Sequence, residues 1–321
     1  MKTYFMGLLI GMFLGGVVLT GAIVLTSENV TDLNMNPYLT YLENPTTIQS
    51  SRTFEQLMTS PLKNGNGELI IKDVFTYKDY EITKGYIETA KNIYVPFLLS
   101  LPKNPVDSNA IIVAHQHNGD YTIGKNSEMF WDLVEKNHIV MSIDSFFFGE
   151  RQIISANEIR TAERLLSQKL YYRGLSPMNF ILQEDIATVN YLMSLDDVDS
   201  VSCIGHSFGG ERCLLLSAID DRINIAIVSG AYTDTDTFTS LDNSIAQGNT
   251  VLIPNLFNVI TMEEIVERIA PRKLIIANGI DDPVRPASKV HLDEQKGLTV
   301  IAYEGEHHLT EEIKDVLYEI L

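Results

Sequence analysis

The 321-residue chain is poor in cysteine, with only Cys203 and Cys213, so a multi-bridge disulfide framework is excluded by number. Each cysteine lies in an apolar setting, the first in a strand-like run and the second in a helical one, and both are expected to be buried thiols. Basic charge is also scarce: 24 Lys+Arg stand against 42 Asp+Glu, a formal net charge of −18. No basic run interrupts that balance, which argues against nucleic acid as a partner. The acidic excess reads chiefly as a solubilising surface. Internal repeats and low-complexity blocks are missing as well.

One stretch lacks charge altogether. Residues 4–25, YFMGLLIGMFLGGVVLTGAIVL, carry no charged side chain. As a helix, 22 such residues would reach about 33 Å, enough for a hydrocarbon core. The run is longer than the apolar region of a cleaved signal and ends without an A-x-A site. Residues 1–27 are therefore expected to be a signal-anchor or transmembrane helix. With Lys2 before the segment and Glu28 and Asp32 after it, the body is placed on the extracytoplasmic side. Secretion after signal cleavage is the alternative. Residues 28–65, polar and broken by Pro and Asn, read as a tether with one short helix near Phe54–Met58.

The remainder, 66–321, has the pattern of an α/β protein. Three stretches rich in β-branched and aromatic residues, between 68 and 102, suggest antiparallel strands. Nearly continuous apolar runs follow at 110–115, 138–144, 201–207, 223–230, 273–279 and 298–303, as strands buried on both faces require. Helical patterns lie between them. Ser176 and Pro177 open one, and Thr310 caps the last. Alternating strand and helix predicts a mostly parallel sheet with helices on both faces. Ligands of such a sheet bind beyond the carboxyl ends of its strands. Insertions at 145–177 and 231–265 are expected to act as caps over that end.

The candidate chemistry falls at those strand ends. Gly205-His206-Ser207-Phe208-Gly209 fits G-x-S-x-G between a buried strand and an apolar helix, the setting of a nucleophile elbow. A serine hydroxyl needs a base, and the base an orienting acid, in the chain order Ser, acid, His. Asp282 follows the run ending at Gly279 and is the candidate acid, with Asp281 as the fallback. His307 follows the last run and is the candidate base, with His308 as the fallback. His291 is set aside because it falls in a helical stretch. Oxyanion donors are expected from the backbone N–H of Phe208 and of His117. The His115-x-His117 pair also invites a shared metal, but no further ligand stands at metallohydrolase spacing, so neither metal nor cofactor is expected.

With these residues placed, the body resembles the dienelactone hydrolase and acetyl xylan esterase-like group of α/β-hydrolases. The resemblance is carried by YVPFLLSLP, AHQHNGDYTIGK, DSFFFGER, CIGHSFGGER, NGIDDPVRP and YEGEHHL. It departs where many members have His-Gly and this chain has His115-Gln116. The resemblance implies a Ser207–His307–Asp282 triad, oxyanion donors at Phe208 and His117, and no cofactor. The implied reaction is hydrolysis of small-molecule carboxylic esters, often small acyl groups on sugars. Glu150 and Arg151 of the same pattern read as a structural ion pair. Two other readings remain: a serine peptidase or amidase of the same fold, and a catalytically inactive membrane-anchored binding protein.

Overall fold

The computed structural model describes residues 52–117, 128–146, 148–151, 159–240 and 248–321, together with 13–14 and 17–18. The chain divides into two units, 1–48 and 49–321. In the first, Phe13–Leu14 pairs antiparallel with Val17–Val18. That departs from the expected spanning helix at the only positions of segment 4–25 that are described. Among the described residues, no helix is long and apolar enough to cross a membrane. The rest of segment 1–27, and residues 28–51 of the expected tether, lie outside the described residues.

The second unit opens with α1 (Phe54–Met58), whose Thr53 and Gln56 form a reciprocal capping box. Three strands follow, β1 (Leu69–Tyr77), β2 (Tyr80–Ala90) and β3 (Ile93–Ser100). The chain continues through β4 (Asn109–Ala114), α2 (Glu128–Glu135), β5 (Ile139–Ile143), α3 (Ile159–Tyr171) and α4 (Pro177–Leu192). Then come β6 (Ser200–His206), α5 (Phe208–Ile219), β7 (Ile223–Ser229), α6 (Thr235–Thr239) and α7 (Met262–Glu267). The last elements are β8 (Lys273–Gly279), β9 (Leu298–Tyr303) and α8 (Glu311–Tyr318).

The nine described strands of this unit form one sheet in the order β9-β8-β7-β6-β4-β5-β3-β2-β1. Pairings from β9 to β5 are parallel, and those joining β5, β3, β2 and β1 are antiparallel. The central strands are buried along their length, β4 at every residue. That is why their sequences run apolar without alternation. One core packs α1, α4, α5 and α7 against one face of the sheet. The other sets Phe130, Leu133 and Val134 of α2 and Ile313 and Leu317 of α8 against the opposite face.

Local signals explain where the helices begin. At α4, the Ser176 hydroxyl accepts from the Met178 N–H at 3.1 Å, and Asn179 accepts from the Ser176 N–H at 2.7 Å. Pro177 then takes the first helical position, where no backbone donor is needed. A buried ion pair fastens α4 to α5: Arg212 donates to both carboxylate oxygens of Asp185, at 3.1 and 2.5 Å.

Three sequence expectations are corrected. Cys203 and Cys213 are joined in a disulfide, not left as thiols. Helix α5 folds back over the strand that precedes it, which brings the two Cα atoms to 5.5 Å, within bridging range. Glu150 and Arg151 do not pair with each other: Glu150 meets Lys84 at 2.5 Å and Arg151 meets Glu184 at 2.7 Å. Adjacent residues point apart, and each finds its partner on a different element. His291 is not helical; it follows the short turn Ala287–Lys289 and contacts Asp234 at 2.6 Å.

Candidate active site

The turn from β6 into α5 carries Ser207 at φ 54° and ψ −122°. A non-glycine residue held there stores backbone strain, which persists only where the surroundings impose it. Here they do. The Ser207 N–H donates to the Ser229 carbonyl at 2.8 Å, and the Ser207 carbonyl accepts from the Glu211 N–H at 3.0 Å. The chain also crosses itself closely. A Cβ on Gly205 would stand 2.3 Å from the Gly209 carbonyl carbon, and one on Gly209 would stand 2.0 Å from the Ala114 oxygen. Both positions therefore require glycine.

His307, after β9, reaches this serine. Its Nε2 lies 2.8 Å from the Ser207 Oγ, and its Nδ1 lies 2.7 Å from the Asp282 Oδ2. Asp282 only accepts, so Nδ1 donates to it and Nε2 is left to take the serine proton. Burial opposes ionisation of Asp282. The hydrogen bond from His307 and the backbone N–H donors of Arg285 and Val284, at 2.8 and 2.7 Å, outweigh it and hold the carboxyl below its ordinary range. The two fallbacks lie elsewhere: Asp281 and His308 are both exposed. Of the two aspartates after Gly279, the first is exposed and the second is buried against His307.

The sequence reading missed His206, which is buried beside His307 with ring centroids 4.9 Å apart. Its Nε2 lies 3.3 Å from the His307 carbonyl, which can only accept, so Nε2 carries the proton. Its Nδ1 then accepts from the Ser229 hydroxyl at 3.1 Å. Burial, reinforced by the neighbouring His307, lowers its pKa to about 4 and keeps it neutral. It secures the backbone of the residue that faces the serine. Its place next to Ser207 was the one available signal.

A cavity of about 300 Å³ opens over Ser207, lined among others by His117, Phe208, Glu211, Arg285 and His307. Arg285 donates to Glu211 at 2.7 Å, and both are buried. Burial raises the Glu211 pKa, and the arginine opposes that shift. Phe208 occupies the first position of α5, where a helix leaves its N–H groups without intrahelical partners. The expected oxyanion pair, Phe208 and His117, thus borders the same cavity as Ser207. Residues 118–120 of the loop after His117 lie outside the described residues, as do 152–158 and 241–247 of the expected caps.

His115 and His117 do not share a site. The His115 Nδ1 donates to the Gln116 carbonyl at 2.9 Å, and its Nε2 accepts from the Ser145 N–H at 3.1 Å. Both nitrogens are committed, and burial lowers its pKa to about 3. His117 turns instead to Glu163, at 2.9 Å.

The architecture and the elbow decide the fold. The chain has the α/β-hydrolase fold. Among solved structures, it superimposes on "Methylesterase BT1017" with a TM-score of 0.60 and 15% identity. That alignment covers 80% of this chain and 57% of the other, so the chain spans less than two thirds of that protein. It also matches acetyl xylan esterase 1 from Thermoanaerobacterium sp. JW/SL YS485, with a TM-score of 0.57 and 14% identity over 88% of this chain and 96% of that one. By sequence it is 27% identical to the "Putative hydrolase YtaP" of Bacillus subtilis (strain 168), over 61% of this chain and 68% of the relative. No family model matches the chain.

Proposed function

We propose that this chain is a serine hydrolase that cleaves carboxylic esters through an acyl-enzyme. The observation that carries the reading is the unbroken run of hydrogen bonds from the Ser207 Oγ through His307 to Asp282, on a strained elbow at the mouth of a cavity. In this mechanism the Ser207 Oγ attacks the ester carbonyl while its proton passes to the His307 Nε2. Asp282 fixes the imidazole tautomer and stabilises its positive form. The N–H groups of Phe208 and His117 receive the developing oxyanion. His307 then protonates the departing alcohol, and water attacks the acyl-serine by the same route in reverse.

The names of the similar proteins, a methylesterase and an acetyl xylan esterase, support small acyl or alkyl esters as substrates, acetylated sugars among them. The small cavity, with its charged side chains, supports the same choice. Hydrolysis of p-nitrophenyl acetate by residues 49–321, compared with the Ser207→Ala variant, tests the reading. Turnover should disappear in the variant while its circular dichroism is kept. Equal turnover would refute the serine assignment. The uncharged segment 4–25 supports a further proposal, that the hydrolase is anchored with its body outside the cytoplasm. Protease treatment of intact cells should remove the body. Full protection would contradict that placement.

A further inference from the structure

His117, in the wall of the same cavity, forms a second histidine–carboxylate pair with Glu163, and neither side chain takes part in the acyl-transfer steps. Glu163 of α3 is almost wholly buried. One of its oxygens, Oε1, receives the Thr250 N–H at 2.9 Å and the Thr250 hydroxyl at 2.7 Å. The other, Oε2, lies 2.9 Å from the His117 Nε2. A single carboxylate thereby joins α3, the turn at Asn249–Val251 and the loop after β4. About two turns further along α3, the Tyr171 hydroxyl donates to the Asn249 carbonyl and reinforces the junction. Burial opposes ionisation of Glu163, but His117 and the two Thr250 donors prevail and hold its pKa below the ordinary value.

These bonds decide which way the imidazole presents itself. An ionised carboxylate only accepts, so the His117 Nε2 carries the proton and donates it to Glu163. The polar atom left on the ring is Nδ1, which has no hydrogen-bond partner among the described residues. The ring cannot turn freely. It stands edge-on to Phe148 at 5.3 Å and to Phe208 at 6.0 Å. Gly248 packs against its far side, where even a Cβ would come within 3.1 Å of Nε2.

The geometry points to Glu163 as a positioning residue that fixes His117 as a hydrogen-bond acceptor, so that the cavity selects esters bearing a hydroxyl donor next to the scissile bond. This rests on the esterase reading above and deepens it, because it assigns a selectivity to a pair outside the serine relay. The substitution Glu163→Gln reverses the pattern without changing volume. An amide has one acceptor and two donors. Turned with its oxygen to the Thr250 N–H, which can only donate, it presents NH₂ to His117 and drives the ring to its Nδ1–H tautomer. The acceptor offered to substrate becomes a donor.

The test compares 2-hydroxyethyl acetate with ethyl acetate, a pair that differs by one hydroxyl group. Assays run at pH 8, above the range in which imidazoles ordinarily protonate. The wild-type protein should show the higher kcat/KM for 2-hydroxyethyl acetate. The ratio of the two should fall about 10-fold in Glu163→Gln, mostly through KM, as expected for one lost hydrogen bond. His117→Phe keeps the aromatic packing, removes Nδ1 and should lower the ratio equally. An unchanged ratio in either folded variant overturns the inference, and His117→Phe decides alone if Glu163→Gln fails to fold. Failure of the esterase reading looks different: Ser207→Ala would then still hydrolyse both esters.

Discussion

Two histidines in one cavity each meet a carboxylate within 3 Å, yet their rings face different third partners, and the proposals above give the two pairs different work. His307 reaches Asp282 with Nδ1 and turns Nε2 to the Ser207 hydroxyl, so a proton can pass along the line. His117 reaches Glu163 with Nε2, and that carboxylate is already filled by Thr250. The first pair lies between two strand ends of a rigid sheet. The second spans insertions and holds them together. On that proposal a histidine beside an acid is not a signature of catalysis in itself; the third partner decides its role.

The variants that break this contrast differ widely in expected effect. Ser207→Ala should lower kcat for p-nitrophenyl acetate by about 10⁶-fold, the scale seen when a relay nucleophile is lost. Asp282→Asn leaves the shape and destroys the tautomer control, and should cost about 10⁴-fold. Glu163→Gln, chemically the same exchange at the other pair, should cost only about 10-fold, and only for the hydroxylated ester. Equal losses at both carboxylates would erase the distinction between them.

Smaller effects sharpen the picture. The Cys203–Cys213 bridge closes a short loop around the elbow, so Cys203→Ala should lower unfolding free energy in denaturant by about 2–4 kcal/mol. Asp281→Asn and His308→Gln touch exposed neighbours of the relay and should leave turnover within about twofold. Asp282 also predicts a pH dependence. Its carboxyl is held below the unfolded value, so its contribution to stability is present above that value and is lost as pH falls through the folded one. The difference in Tm between the wild-type protein and Asp282→Asn should therefore shrink progressively as pH falls below about 5.

How much the sequence disclosed follows the same division. The buried strands announced themselves as unbroken apolar runs, and the elbow as glycines around one serine. Ser207, Asp282 and His307 could be placed because strand ends come at known points of the pattern. Glu163 could not. It sits 46 residues from His117 in sequence, on an insertion whose path depends on tertiary packing. His206 was overlooked because a buried histidine looks like any core residue until the one acceptor and the one donor that its two nitrogens meet are seen. The disulfide was missed for a similar reason: a spacing of ten residues shows a bridge only once the helix is known to fold back on its strand. The uncharged segment 4–25 suggested a spanning helix by length alone, and of it only two short paired strands are described.

The most direct test of the serine relay is covalent. The folded protein is treated with a fluorophosphonate, digested and mapped by mass spectrometry, with Asp282→Asn run in parallel. The relay predicts one adduct, on Ser207, formed rapidly in the wild-type protein and orders of magnitude more slowly in the variant. An unmodified Ser207, or equal labelling rates in the two proteins, would contradict it.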